Sequence, residues 1–239
     1  MDIKRVIIVV FIIIFAFICY FIFGDLSFED TKSYKIKGVD LSNQYDEKLN
    51  WDALKGTNDF VILRAVRAID TCKLKGQQKF ISKIDKKFSK NWGDLEAKKI
   101  TRGAYHFFAP EIPAVEQFEI YKKAVKLQKG DLPPILDVEN KKCDMNEAIK
   151  WLDMAQKHYG VNPILYTDYL FYKIFLGRKN LKYPTWIYIN ERFGFRPHFE
   201  NPDCVIWQHK QDIKINDFEE AIDLNIFIGD SVEFKKLLI

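Results

Sequence analysis

A chain of 239 residues that is 48% hydrophobic and 29% charged has a globular composition, with room for one sizeable domain or a small one plus extras. The net charge of +4 falls to +3 once residues 1–24, which hold Asp2, Lys4 and Arg5, are set aside; that weak, scattered surplus gives no argument for nucleic acid. The four cysteines include no C-x-x-C pair and no Cys/His zinc spacing.

The chain opens on an uncharged, mostly apolar run from Val6 to Phe23, near the length needed to cross a bilayer. Lys4 and Arg5 precede it, and Asp25, Glu29 and Asp30 follow it. That asymmetry places the amino terminus in the cytoplasm and the remainder outside. A cleaved signal peptide, giving a secreted protein that starts near residue 25, is the competing reading. It fits less well, because Ile22 occupies a position where a small residue is expected, and Cys19 follows Ile18 rather than a small residue. Nothing in the run is amphipathic, so a core helix does not fit. The expected organisation is a transmembrane signal anchor over 1–24, a polar linker over 25–36 and a globular domain over 37–239. Outside the anchor, Cys72 and Cys143 each follow a strand end and could meet as a disulfide at one rim.

Gly38–Ser42 reads as a short strand ending in an acid and a hydroxyl, and Phe60–Val66 as a strand buried on both faces. Phe80, Ile84, Phe88 and Trp92 recur at a spacing of about four, which predicts an amphipathic helix. Arg102–Phe108 is the third strand, stopped by Pro110. Pro113 starts a helix with Val115, Phe118, Tyr121, Ala124 and Val125 on one side.

The fourth strand, within Pro133–Asn140, carries Asp137 and Glu139 on one face, Cα atoms roughly 6.5 Å apart. Asp144-x-x-Glu147 resembles a capping box for a helix through His158. Asn162–Asp168 is the fifth strand, with a short aromatic helix over Tyr169–Leu176. Thr185–Asn190, Cys204–His209 and Ile222–Phe227 then follow with no convincing helix between them. Eight strands, five of them followed by helical pieces, predict an α/β fold. It is a TIM-like (β/α) barrel variant with about five helices, lacking its last ones and preceded by one transmembrane helix.

In such a barrel the carboxyl ends of the strands form the active face, and acids lie at three of them: Asp40, the Asp137/Glu139 pair and Asp223. Tyr105, His106, Tyr166, Trp186, Trp207 and Gln208 lie at strand ends as well. Carboxyl groups beside aromatic residues, with no phosphate loop or Ser/His arrangement, point to glycoside hydrolysis. Each residue also has a structural reading. Asp40 could cap a turn, Tyr166 and Trp186 could be core, and His106 on an apolar strand reads first as a supporting core histidine.

Seven ordered motifs carry a family resemblance: Gly38-Val39-Asp40-Leu41-Ser42, Gly103-Ala104-Tyr105-His106-Phe107, Leu132 through Glu139, Ile164-Leu165-Tyr166-Thr167, Trp186-Ile187, Trp207-Gln208, and Asp223 through Phe227. Together they resemble the glycoside hydrolase family 25 lysozymes over roughly 37–239. The resemblance implies an N-acetylmuramidase that cuts the β-1,4 bond between N-acetylmuramic acid and N-acetylglucosamine with retention, on a barrel with five helices and three final strands. It makes peptidoglycan glycan strands the partner and requires no metal or cofactor.

By the same resemblance Glu139 matches the general acid/base, and Asp137 the acid that orients and stabilises the substrate's N-acetyl group. Asp40 and Asp223 match the flanking acids. Tyr105, Tyr166, Trp186, Trp207 and Gln208 become candidate substrate contacts. Where the family commonly has Thr-Glu-Gly after the second strand, this chain has Val66-Arg67-Ala68. Arg67 could pair with a barrel acid, lower the pKa of Glu139, or contact the stem peptide or lactyl carboxylate. The turn Asn43–Asp46 and the Tyr188-Ile189-Asn190 strand end are also atypical. The alternative function is a membrane-tethered peptidoglycan-binding module without turnover, and chitin is the alternative polymer. The sequence reveals no oligomeric state.

Overall fold

The computed structural model describes residues 3–23, 26–28, 31–42, 50–71, 79–140, 142–176, 182–191, 195–197, 204–214 and 221–239. Cys72 and the turn Asn43–Asp46 lie outside them, and with Cys72 the disulfide expectation. In chain order the elements are α1 (Ile3–Phe23), β1 (Leu26–Phe28), β2 (Lys37–Leu41), α2 (Trp51–Thr57), β3 (Phe60–Asp70), β4 (Phe80–Ile84), α3 (Phe88–Ala97), β5 (Thr101–Phe107), α4 (Ala114–Ala124), β6 (Ile135–Asp137), α5 (Met145–Tyr159) and β7 (Ile164–Asp168). Then come α6 (Tyr169–Phe171), which continues as a π-helical turn to Leu176, β8 (Thr185–Tyr188), β9 (Phe195–Pro197), β10 (Cys204–Lys214), β11 (Ala221–Phe227) and α7 (Ser231–Leu237).

Eight strands close a barrel in the order β2, β3, β5, β6, β7, β8, β10, β11 and back to β2. Neighbours run parallel except at β11, which is antiparallel to both β10 and β2. β4 pairs antiparallel with the outer part of β3, and β1 pairs with β9 in a separate ribbon. The two-residue period of each strand divides its side chains between two cores. Val39, Val61, Leu63, Leu136, Leu165 and Ile187 face the helices. Phe60, Ile62, Ile135, Ile164, Trp186 and Ile206 fill the barrel. Gly38 is required at the bottom, because a Cβ there would lie 2.3 Å from the Phe60 ring. Ile36, in the segment expected to be linker, is buried in the same inner core.

The barrel bottom is sealed by a helix that the sequence reading lacked. α7 starts at a capping box of Asp230 and Glu233, and its Phe234 ring sits 5.5 Å from Phe60 and 5.1 Å from Phe227. The backbone of Ile239 then bonds to Gly130 and Asp131.

Three local expectations are corrected. Phe80 and Ile84 belong to strand β4, so only Phe88 and Trp92 share a helix. The buried face of α4 is Ala114, Gln117, Phe118 and Tyr121, with Val115 exposed. Asp144 caps α5 by accepting from the Asn146 amide, but Glu147 accepts from the Ala114 amide instead of closing a capping box. α1 has 21 residues, about 31 Å of helix. It is, among the described residues, long and apolar enough to cross a membrane.

Candidate active site

Asp40 is the penultimate residue of β2, Asp137 ends β6, and Glu139 lies two residues beyond it. Asp223 stands near the amino end of β11, not at a carboxyl end as expected. Because that strand is reversed, its start lies at the mouth, where Asp223 pairs directly with Asp40. All four acids therefore meet at one end of the barrel.

Amides tie them together. Asp40 Oδ1 accepts from Asn225 Nδ2 at 2.7 Å and from Gln208 Nε2 at 2.8 Å. Gln208 Nε2 also lies 3.3 Å from Asp223 Oδ2, and the Tyr166 hydroxyl donates to Gln208 Oε1 at 2.7 Å. Beneath them the Trp186 indole donates to Asn225 Oδ1 at 2.8 Å and packs against the edges of Tyr166 and Tyr105. Tyr105, Tyr166 and Trp186 are all buried, so they form the floor of the mouth.

Burial and mutual repulsion make this cluster hold protons. Asp40 is pushed up to about 8, first by burial and next by Asp223, against the Asn225 and Gln208 hydrogen bonds. Burial, then Glu139 and Asp40, carry Asp137 well above the carboxylate range, with Arg64 opposing. One Asp137 oxygen is sealed without a hydrogen-bond partner, which also favours its neutral form. Glu139, half-buried, is raised by burial, Asp168 and Asp223, while the Tyr166 hydroxyl favours its anion. Asp223 is raised by burial to about 6, against the hydrogen bond from the Asp212 amide. The site can thus offer a proton at neutral pH and, once deprotonated, stabilise a cation.

Two sequence-derived candidates fall elsewhere. Trp207 alternates with Gln208 on β10 and so faces the helices, where its indole donates to the Ile189 carbonyl at 2.8 Å and its surface is fully covered. It is not brought to the mouth. Arg67 is paired not with one of the four acids but with Asp85, at 3.7 Å, on the β3–β4 extension at the rim. His106 is fully buried, held by Gln117 at 2.8 Å, and kept neutral by burial that lowers its pKa to about 4.

The sequence reading missed Asn225, Arg64, Asp85 and Asp168 as members of the site. Asn225 shares the face of Asp223, and Arg64 shares that of Ile62, so strand alternation alone could have found both. Asp85 gave no signal, because the segment before it read as helix.

Three comparisons bear on this arrangement. The family model for glycosyl hydrolases family 25 matches residues 39–218. The structure of a family 25 glycosyl hydrolase from Bacillus anthracis is 28% identical, with a TM-score of 0.72 over 88% of this chain and 97% of that one. A bacterial lysozyme from Streptomyces coelicolor, 20% identical, shares the fold with a TM-score of 0.68 over 87% of this chain and 98% of its own. The uncharacterized protein YegX of Escherichia coli O157:H7 is 29% identical over 85% of this chain and 73% of its own length. The chain belongs to the glycosyl hydrolases family 25.

Proposed function

We propose that this family 25 chain is an N-acetylmuramidase that hydrolyses the β-1,4 bond between N-acetylmuramic acid and N-acetylglucosamine in peptidoglycan, with retention and with help from the substrate's own acetamide. The observation that carries the reading is the meeting of Asp40, Asp137, Glu139 and Asp223 at one mouth, where burial and repulsion raise every one of their pKa values.

Glu139, the least buried of the central pair, is the general acid. It gives its proton to the departing O4 of N-acetylglucosamine as the muramyl C1–O bond breaks. The acetamido oxygen attacks C1 from the opposite face and forms an oxazolinium ring. Asp137 accepts the acetamido N–H, and that donor, together with Arg64, favours the carboxylate over the resting neutral acid. Glu139, now an anion, takes a proton from the water that opens the ring, so the second inversion restores the configuration. Asp223, ionised above about pH 6, supplies negative potential as positive charge develops at the sugar, while Asp40 beside it keeps its proton until about pH 8.

Glu139→Gln removes the proton donor and keeps the shape. Turnover on a peptidoglycan suspension is expected to fall by about 10²–10⁴-fold while sedimentation with peptidoglycan persists. An unmutated chain that binds peptidoglycan but releases no reducing ends would leave only a binding module.

We also propose that α1 anchors the catalytic domain, residues 37–239, on the outer side of the cytoplasmic membrane. Lys4 and Arg5 on its amino side and a helix long enough to span support this. The protein should resist carbonate extraction and dissolve in detergent. Recovery as a soluble form starting near residue 25 would make the segment a cleaved signal.

A further inference from the structure

Arg67 takes no part in the proton chemistry of the four acids, and its surroundings point to another task. The pairing of β3 with β5 slips between Arg64 and Val66, so the strand's alternation shifts by one residue. Val66 keeps to the helix-facing core, and both Arg64 and Arg67 turn to the other side, where Asp85 lies between them. Arg64 takes one Asp85 oxygen at 2.8 Å. Arg67 approaches the other only to 3.7 Å, too far for a hydrogen bond.

One carboxylate thus faces two guanidinium groups. Exposure rises along the row, from 2% for the Asp85 side chain to 15% for Arg64 and 42% for Arg67. Among the described residues Arg67 donates no hydrogen bond, so its planar fork is open to solvent at the rim. Lys83 stands directly opposite Arg67 in the β3–β4 pairing and is exposed, adding a second cation to the same face. The next pair on that face is Ile69 and Ile81, the latter 42% exposed. The opposite face of the hairpin, with Val66 and Ile84, packs toward the helices.

We propose that this cationic wall, led by Arg67, is a specificity subsite for a carboxylate carried by the muramic acid residue, with Ile81 meeting a methyl group beside it. A guanidinium fork matches a carboxylate with two parallel hydrogen bonds. The identity of the glycan rests on the muramidase reading above. The carboxylate has two sources, the free lactyl group of a stem-free glycan or the peptide carboxylates of a stem-bearing one, and each source places a methyl group close by.

The test uses the full chain in detergent with Glu139→Gln, so that glycans bind without turnover. Affinity is measured for a stem-free glycan tetrasaccharide, a stem-bearing one and neutral chitotetraose. Adding Arg67→Gln is expected to weaken one carboxylate-bearing glycan at least about tenfold more than chitotetraose, and the glycan affected identifies the source. Arg67→Lys should recover part of that preference, and salt should erode it. Equal weakening of all three ligands, or of none, overturns the subsite and leaves the muramidase standing. If the parent binds no glycan and the unmutated chain cleaves none, the muramidase reading fails and the subsite with it.

Discussion

Asp40 shows how much the site costs the fold. Its carboxyl group is buried beside Asp223 and held by two amides, and its pKa rises from 3.8 to about 8. A carboxyl group raised in this way binds a proton in the folded chain that the unfolded chain has released. Stability from this group is therefore full below about pH 4 and is lost as pH climbs toward 8. Asp223 adds the same trend up to about 6. The melting temperature is expected to be higher at pH 5.5 than at pH 8.5, at roughly 2–4 °C for each kcal/mol lost. Asp40→Asn cannot ionise and should flatten that decline. A melting temperature that holds steady or rises over this range in the unmutated chain contradicts the buried cluster.

At the scale of elements, the strands that carry the acids were legible in the sequence, because apolar runs of strand length bounded by polar turns are a local signal. Expected spans such as 60–66 and 162–168 fall on β3 and β7, and the closed eight-stranded barrel follows from their number. What was not legible depends on partners remote in sequence. β11 is reversed because it pairs antiparallel with both β10 and β2, and no residue within 221–227 announces a direction. Yet that reversal brings Asp223 to the mouth.

The helical spacing from Phe80 to Trp92 failed for a related reason. A residue spacing of four is also a multiple of the strand period, and the ladder with β3 took the first half of the segment. α7 is only seven residues long, too short for periodicity to show, and it is held by Phe234 against two barrel phenylalanines. Trp207 illustrates the finer limit. Its neighbour Gln208 belongs to the site, and a two-residue period sends adjacent side chains to opposite faces. Family motifs mark a stretch of chain, whereas alternation decides which of its residues reach the mouth.

At the scale of the molecule, the parts divide by task. The inner core and α7 close the barrel bottom, so the mouth at the other end is the face where acids can be grouped and desolvated together. The β3–β4 extension adds a cationic wall on one side of that mouth. α1, among the described residues, is long and apolar enough to cross a membrane.

The central claim is that the four-acid mouth cuts the muramyl side of the glycan. The most direct measurement is to digest purified peptidoglycan with the unmutated chain, reduce the new ends with borohydride and identify the reduced sugar. The account predicts N-acetylmuramitol, absent from a Glu139→Gln digest; N-acetylglucosaminitol, or no new reduced sugar, would contradict it.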